Sequence, residues 1–260
     1  MARGLGRLAG DVASSLDAVP ELLPLLPELL ADLDDLGGSP GAVVALLRAQ
    51  PIERRMRALD LGCGKGGVSI ALARELGLRV RGVDAMEAFV REARERAARE
   101  GVESSARFEK GDLRAELRQG ERYDVAVLSG LGPVLGPPRT TVGALRRIVR
   151  PGGWIVIDDA YLAPGAAERP GYLPRPRAVR ELTAHGDELV GEERIARDET
   201  RASDDRNTAR IRDRARELAR RRPDLAKLAF AYVERQEEAS ATLRRELVPV
   251  ALCLRRAPLE

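Results

Sequence analysis

The residues whose types and spacing could do chemistry begin at Asp60. Two positions later come Gly62, Gly64 and Gly67 in a Gly-x-Gly-x-x-Gly pattern, with Cys63 and Gly66 inside it. A turn of glycines lets the backbone bend sharply and approach a ligand that a Cβ would push away, as nucleotide-binding turns do. Three further sets, each with an acid, follow at intervals: Asp84-Ala85-Met86, Asp112-Leu113, and Ser129 with Asp158, Asp159 and Tyr161. His185, the only histidine, precedes Gly186 and reads either as a general base or as the end of a short helix. Taken singly, each acid has a plain alternative: Asp60 caps a turn, Asp84 is a solvated strand end, and Asp112 caps a helix.

The elements that must position these groups are legible from periodicity. Ala58, Leu59 and Leu61 form a short apolar strand, and Val68, Leu72 and Leu76 give the spacing of a helix that stops at Gly77. LRVRGVD is a second strand ending at Asp84, followed by a helix from Met86 to about Gly101. ARFEKGD is a third, ending at Asp112. YDVAVLSG is a fourth, nearly all apolar, and WIVIDDAY, from Trp154, a fifth; the helix TTVGALRRIVRPGG lies between them and ends before Pro151. Segments 188–196 and 246–256 supply two more strands. The expected architecture is α/β: a doubly wound, mostly parallel seven-stranded sheet.

Residues 1–50 read as a helical collar or lid, with two or three helices over 11–50; the last runs from Pro40 to Gln50 behind a Ser39 cap. Their Leu stripe packs on its own domain or offers a homodimer surface. Residues 51–260 make the main domain. In it the Pro/Gly-rich loop 160–185 and a helical insertion at 197–245, broken at Pro223, are placed to cap a pocket.

Composition bounds the function. The formal charge is +3 from 44 basic and 41 acidic residues, and only 3% of residues are aromatic, which argues against stacking platforms for single-stranded nucleic acid. Arginines cluster at 206, 210, 212, 214, 216, 220, 221 and 222. They suit either a solvated helix or a phosphate backbone, and flanking acids (Asp204, Asp205, Asp224) argue for the former. Two distant cysteines, Cys63 and Cys253, make neither a disulfide framework nor a metal site. No apolar run is long enough to span a membrane, and the N-terminus lacks the apolar core of a secretory signal, so a cytoplasmic protein is expected. The terminal Leu259-Glu260 carries no weight.

With those residues in view, 56–160 resembles the class I S-adenosylmethionine-dependent methyltransferases. LDLGCGKG is similar to that family's first motif, VRGVDAM to the second, FEKGDL to the third, YDVAVLSG to the fourth, and LRRIVRPGGWIVIDD to the approach to its fifth strand. A dinucleotide dehydrogenase shares the first turn and the acid after strand two, but is not expected to bring the rest. The resemblance implies S-adenosyl-L-methionine as cofactor. Gly62, Cys63 and Gly64 would lie against its methionine part, with Asp60 near the ammonium. Asp84 would accept from both ribose hydroxyls, Met86 would cover one face of the adenine, Asp112 would accept from its exocyclic amine with the Leu113 backbone alongside, and Ala85 and Ser129 complete the expected cofactor-binding set. Cys63 lacks a partner that would make it a nucleophile.

The acceptor is less defined. Ser129-Gly130-Leu131-Gly132 replaces the Asn/Asp-Pro-Pro-aromatic motif of amino methyltransferases that act on nucleic acids, and Ser129 stands where catechol-type relatives need a metal-binding Asp. The expectation is therefore a small or medium organic acceptor and no metal, with Asp158, Asp159, Tyr161 and His185 as catalytic candidates. The rival readings are an RNA methyltransferase using the Arg-rich helix and a non-catalytic cofactor-binding protein.

Overall fold

The computed structural model describes residues 2–258; Leu259 and Glu260 lie outside them. The chain divides into two compact units. One comprises the residues up to Asp34 with Ala196–Leu247; the other comprises Asp35–Ile195 with the residues from Val248 on.

The second unit carries the sheet. Helix α3 (Pro40–Arg48) leads into β1 (Arg57–Leu61), α4 (Gly67–Leu76), β2 (Arg79–Asp84), α5 (Glu87–Arg99), β3 (Ala106–Lys110), α6 (Leu113–Glu116) and β4 (Tyr123–Ser129). These are followed by α7 (Pro138–Leu145), β5 (Val149–Leu162), α8 (Arg175–Leu182) and β6 (Glu188–Arg194). Back in the second unit, β7 (Leu247–Arg255) completes the sheet; the first unit holds α1 (Ala2–Ser15), α2 (Leu26–Leu29), α9 (Arg197–Arg221) and α10 (Ala226–Glu246).

The strand order is β3-β2-β1-β4-β5-β7-β6. The pairs β1·β2, β1·β4, β2·β3 and β4·β5 are parallel, and β6·β7 is antiparallel. The order reverses between β1 and β4, so the crevice outside their carboxyl ends is the place where such sheets bind ligands. Strands buried on both faces need apolar residues at successive positions, and β1 and β4 have them: Leu59, Leu61, Val125, Ala126 and Val127 are all fully buried. One core cluster gathers Ala58, Val127 and Val156 with α3 and α4; the other gathers Leu59, Leu61, Ile155 and Ile157 with α7 and α8.

Three expectations shift. The fifth strand begins at Val149, not Trp154, because Val149 pairs with Tyr123 and a register shift after Tyr123 absorbs Arg150–Gly153. Gly153 lies so near the neighbouring strand that a Cβ would meet the Asp124 carbonyl at 2.6 Å. Helix α7 accordingly stops at Leu145. The segment 11–50 is shorter in helix than expected: Pro20–Leu22 is a 3-10 turn and α2 has four residues with a proline in its first turn. Ser39 precedes α3, but its side chain does not cap it.

In the first unit, most of the arginines of α9 face carboxylates. Arg214 pairs with Asp32 and Glu217, Arg210 with Asp34, Arg212 with Glu237, Arg216 with Asp213 and Arg221 with Glu28. Among the described residues no helix is long and apolar enough to cross a membrane.

Candidate functional site

The glycine turn is built from its two ends. Gly62 (φ +71°), Gly64 (φ +50°) and Gly66 (φ +81°) sit in the left-handed region, which only glycine enters without strain, and Gly66 opens α4. Gly62 N–H and Cys63 N–H both donate to the Val83 carbonyl, tying the turn to the end of β2.

Asp84 stands beside that turn. Its Oδ2 accepts from Gly64 N–H at 2.9 Å and its Oδ1 from Met86 N–H at 2.8 Å. Each carboxylate oxygen has two acceptor sites, so one remains on each for an outside donor. The two amides therefore fix the plane of the carboxylate and leave it able to take a vicinal diol. Burial pushes the Asp84 carboxyl up; the hydrogen bonds donated by the Met86 and Gly64 amides, with the nearby Ala85 amide, work against that.

Asp60, at the end of β1, is buried; Ser69 on α4 donates to its Oδ2 at 2.6 Å. Burial raises its carboxyl to about 6, partly countered by Ser69 and reinforced by Asp84. Cys63 is buried between these acids and its thiol is pushed well up, chiefly by burial, so it stays protonated. Lys65 is buried as well and reaches Glu92 at 2.9 Å. Asp112 caps α6, its Oδ1 accepting from Arg114 N–H at 2.8 Å, with Leu113 as the first helical residue.

At the tips of β4 and β5, Asp158 Oδ2 accepts from Ser129 Oγ at 2.7 Å and from Ser39 N–H at 2.6 Å. Strand alternation sends Asp159 and Tyr161 to the other face, that of Ile155 and Ile157. Asp159 Oδ1 accepts from the next amide, Ala160 N–H, at 2.9 Å. Burial raises its carboxyl to about 7, with Asp158 adding to the rise. The Tyr161 hydroxyl is buried without a hydrogen-bond partner, and burial raises it to about 12, so it is a donor and not a base at neutral pH.

A cleft lined by Asp60, Gly62, Gly64, Lys65, Val68 and Ser129 lies over the turn, with Asp35, Leu36 and Gly38 on its outer side. The structure thus brings Asp60, Gly62, Cys63, Gly64 and Ser129 together, with Asp84 bonded to the Gly64 amide. It does not bring His185, whose Nε2 lies 2.9 Å from the Arg139 carbonyl and whose ring packs on Gly143 of α7. Sequence reasoning missed Ser69, Lys65 and the segment 35–39. Ser69 was findable, because a helix starting at Gly67 turns its first polar side chain back toward the strand end. Among the described residues no group of three or more His, Cys, Asp or Glu is gathered as metal ligands.

For Asp60 and Asp159 the folded protein holds a proton more tightly than the unfolded chain. Their contribution to stability is complete below about pH 4 and is lost as pH rises through about 6 and about 7. Wild type is therefore expected to lose stability relative to Asp159→Asn between pH 5 and 8, by on the order of 2 kcal/mol. Thermal unfolding of the two proteins across that range measures it. Parallel curves would remove the raised carboxyl.

A mostly parallel seven-stranded α/β sheet with a glycine turn after β1 and an acid at the end of β2 is a Rossmann-like arrangement. Comparison with known proteins sharpens the class. Residues 58–153 match the family model described as "Methyltransferase domain". A ubiquinone biosynthesis O-methyltransferase from Leptothrix cholodnii is 32% identical over 105 residues, 39% of this chain and 43% of that protein. The 27-O-demethylrifamycin SV methyltransferase of Amycolatopsis mediterranei is 30% identical over 131 residues, 50% of this chain and 47% of that one. The chain thus spans about half the length of the curated relatives it matches. In fold it is similar to a SAM-dependent methyltransferase from Geobacter sulfurreducens, solved in complex with S-adenosyl-L-homocysteine. That likeness has a TM-score of 0.74 at 24% identity and covers 91% of this chain and 98% of that one. Residues 58–153 are thus similar to a methyltransferase domain, on a fold shared with a SAM-dependent methyltransferase.

Proposed function

We propose that this protein transfers the methyl group of S-adenosyl-L-methionine to a small or medium organic molecule through a nitrogen, oxygen or carbon nucleophile. The observation that carries the reading is Asp84, a carboxylate held by the Gly64 and Met86 amides with acceptor capacity to spare for the ribose hydroxyls. Asp60, buried beside the turn, offers the negative charge an ammonium group needs. The cofactor supplies an electrophilic methyl on a sulfonium.

The rest is positioning, since an in-line displacement is accelerated by holding the nucleophile against the methyl group. Where the acceptor must lose a proton, Asp159 is the group to take it, because a carboxyl near 7 is matched to neutral pH. Tyr161, buried and unpartnered on the same face, supports the reading by offering a hydroxyl donor to orient the acceptor. Loops 130–136 and 163–174 meet where a Cβ on Gly171 would touch Pro133 at 2.8 Å, so both can bound an acceptor site.

The α9 arginines count against a polyanion, since most already face carboxylates. The test is calorimetric titration of S-adenosylhomocysteine, then a screen of phenols, amines and activated carbon acids with S-adenosylmethionine, read in mass spectrometry by release of S-adenosylhomocysteine and a gain of one methylene in the mass of the acceptor. Asp159→Asn is expected to lower kcat about 10²-fold or more for a protonated acceptor and to remove the rise in rate through about pH 7. Wild type that does not bind S-adenosylhomocysteine would end the reading.

A further inference from the structure

The segment Asp35–Ser39 lies on the glycine turn. Leu36 packs on Gly64, where an added Cβ would meet Leu36 Cδ1 at 3.3 Å. The Asp35 carboxylate presses against Gly67, the first residue of α4, so closely that a Cβ there would overlap its Oδ1. Gly38 lies on the tip of β4, with a Cβ position 2.6 Å from Ser129 Oγ. From the other side Leu131 fills the space over Gly62. The cavity left among these residues is about 40 Å³. Small-molecule sites run to roughly 300–1,000 Å³. The room that Gly62 and Gly64 leave by lacking side chains is taken by the chain's own leucines.

What the segment presents there has a definite chemistry. Asp35 puts a carboxylate at a helix N-terminus, a favoured place for an anion. Leu36 puts an aliphatic chain over the glycine backbone. An amino-acid group with an aliphatic side chain would offer the same two features. The segment is held at both ends: Arg96 Nη1 donates to Asp35 Oδ1 at 3.3 Å, and Asp158 Oδ2 accepts from Ser39 N–H and Ser129 Oγ together. Its bend is at Gly37 (φ +105°), which touches Gly130 (φ +66°) so closely that a Cβ on Gly130 would meet the Gly37 carbonyl carbon at 2.7 Å.

We propose that Asp35–Ser39 is a self-occluding strap seated where the amino-acid end of the cofactor binds, and that Asp158 is the positioning residue that fastens it. The proposal rests on the cofactor reading above. Cofactor binding then requires the strap to lift, and the measured affinity is the intrinsic one reduced by the fraction of molecules with the strap open. Asp158 acts through Ser39 and Ser129 and not on the reacting atoms.

The test is calorimetric titration of S-adenosylhomocysteine into wild type, Leu36→Ala and Asp158→Asn, with amide hydrogen exchange of residues 36–39 in wild type, free and bound. Each substitution removes a contact of the closed strap, so each is expected to tighten binding about 3- to 10-fold. Exchange at 36–39 is expected to speed up when the ligand is bound, a readout that needs no variant. Weaker binding by both variants with slower exchange would mean the segment closes over the ligand, and would overturn the proposal. Unchanged affinities and unchanged exchange would overturn it too. If neither wild type nor the variants bind S-adenosylhomocysteine while remaining folded by circular dichroism, the cofactor reading itself falls and the strap with it. That result is distinct from binding that ignores the substitutions.

Discussion

Asp84→Ala is expected to weaken binding of S-adenosylmethionine and S-adenosylhomocysteine by roughly 30- to 150-fold, or about 2–3 kcal/mol. In wild type the carboxylate is already oriented by the Gly64 and Met86 amides at 2.9 and 2.8 Å, so a ligand diol meets a fixed acceptor. Hydrogen bonds to a charged acceptor contribute more than neutral ones, and alanine removes both while leaving two amides without their partner. The same substitution also removes a carboxylate that burial penalises, as its raised pKa shows, so the loss of fold stability should be smaller than the loss of affinity. Calorimetry beside thermal unfolding separates the two. Asp84→Asn, with the same shape but no charge, should fall between. Full affinity in the alanine variant would show that the acid does not hold the ligand.

The largest structural effect is expected from Gly66→Val. Gly66 has φ +81°, where a β-branched residue is strongly disfavoured, and it begins α4. Its Cβ would stand 2.8 Å from Phe108 Cζ and 3.1 Å from Ala93 Cβ, in a core with no slack. Backbone strain of about 1–3 kcal/mol and overpacking of about 1–3 kcal/mol add to about 2–6 kcal/mol. That is a large part of the roughly 5–15 kcal/mol that holds a folded protein together, so the melting temperature should drop by about 5–20 °C. A second variant with Phe108→Leu should restore the steric part and leave the backbone part. An unchanged melting temperature would mean the turn adapts freely, contrary to its tie to Val83.

These two residues also mark what could be read from the chain itself. The strand-turn-helix around Gly66 and the acid at Asp84 are local: periodicity, glycine spacing and a strand-ending carboxylate all fall within thirty or so residues, and the structure places them as the pattern implies. What escaped reading is long-range. Ser39 and Asp158 are 119 positions apart, and nothing in either neighbourhood announces that one donates to the other. Gly37 and Gly38 look like a helix end, yet they serve as a bend against β4, because close approach and helix termination both call for glycine. The early start of β5 escaped for a related reason: Pro151-Gly152-Gly153 reads as a break, whereas a bulge carries the strand through it. The two adjacent acids of β5 looked like one pair, but a period of two divides them between faces, Asp158 toward Ser129 and Asp159 toward Tyr161.

The sheet order has a consequence for how the protein comes off the ribosome. β7 is the last strand in the chain, yet it lies inside the sheet, between β5 and β6. During synthesis β6 emerges first and must wait, without its partner, while the whole of α9 and α10 is made. At about 5–20 residues per second that interval lasts a few seconds. Through it the growing chain exposes two open backbone edges, one on β5 and one on β6. The charged residues of β6, Glu188, Glu192, Glu193 and Arg194, are the kind that discourage a nascent edge from pairing with a neighbouring polypeptide.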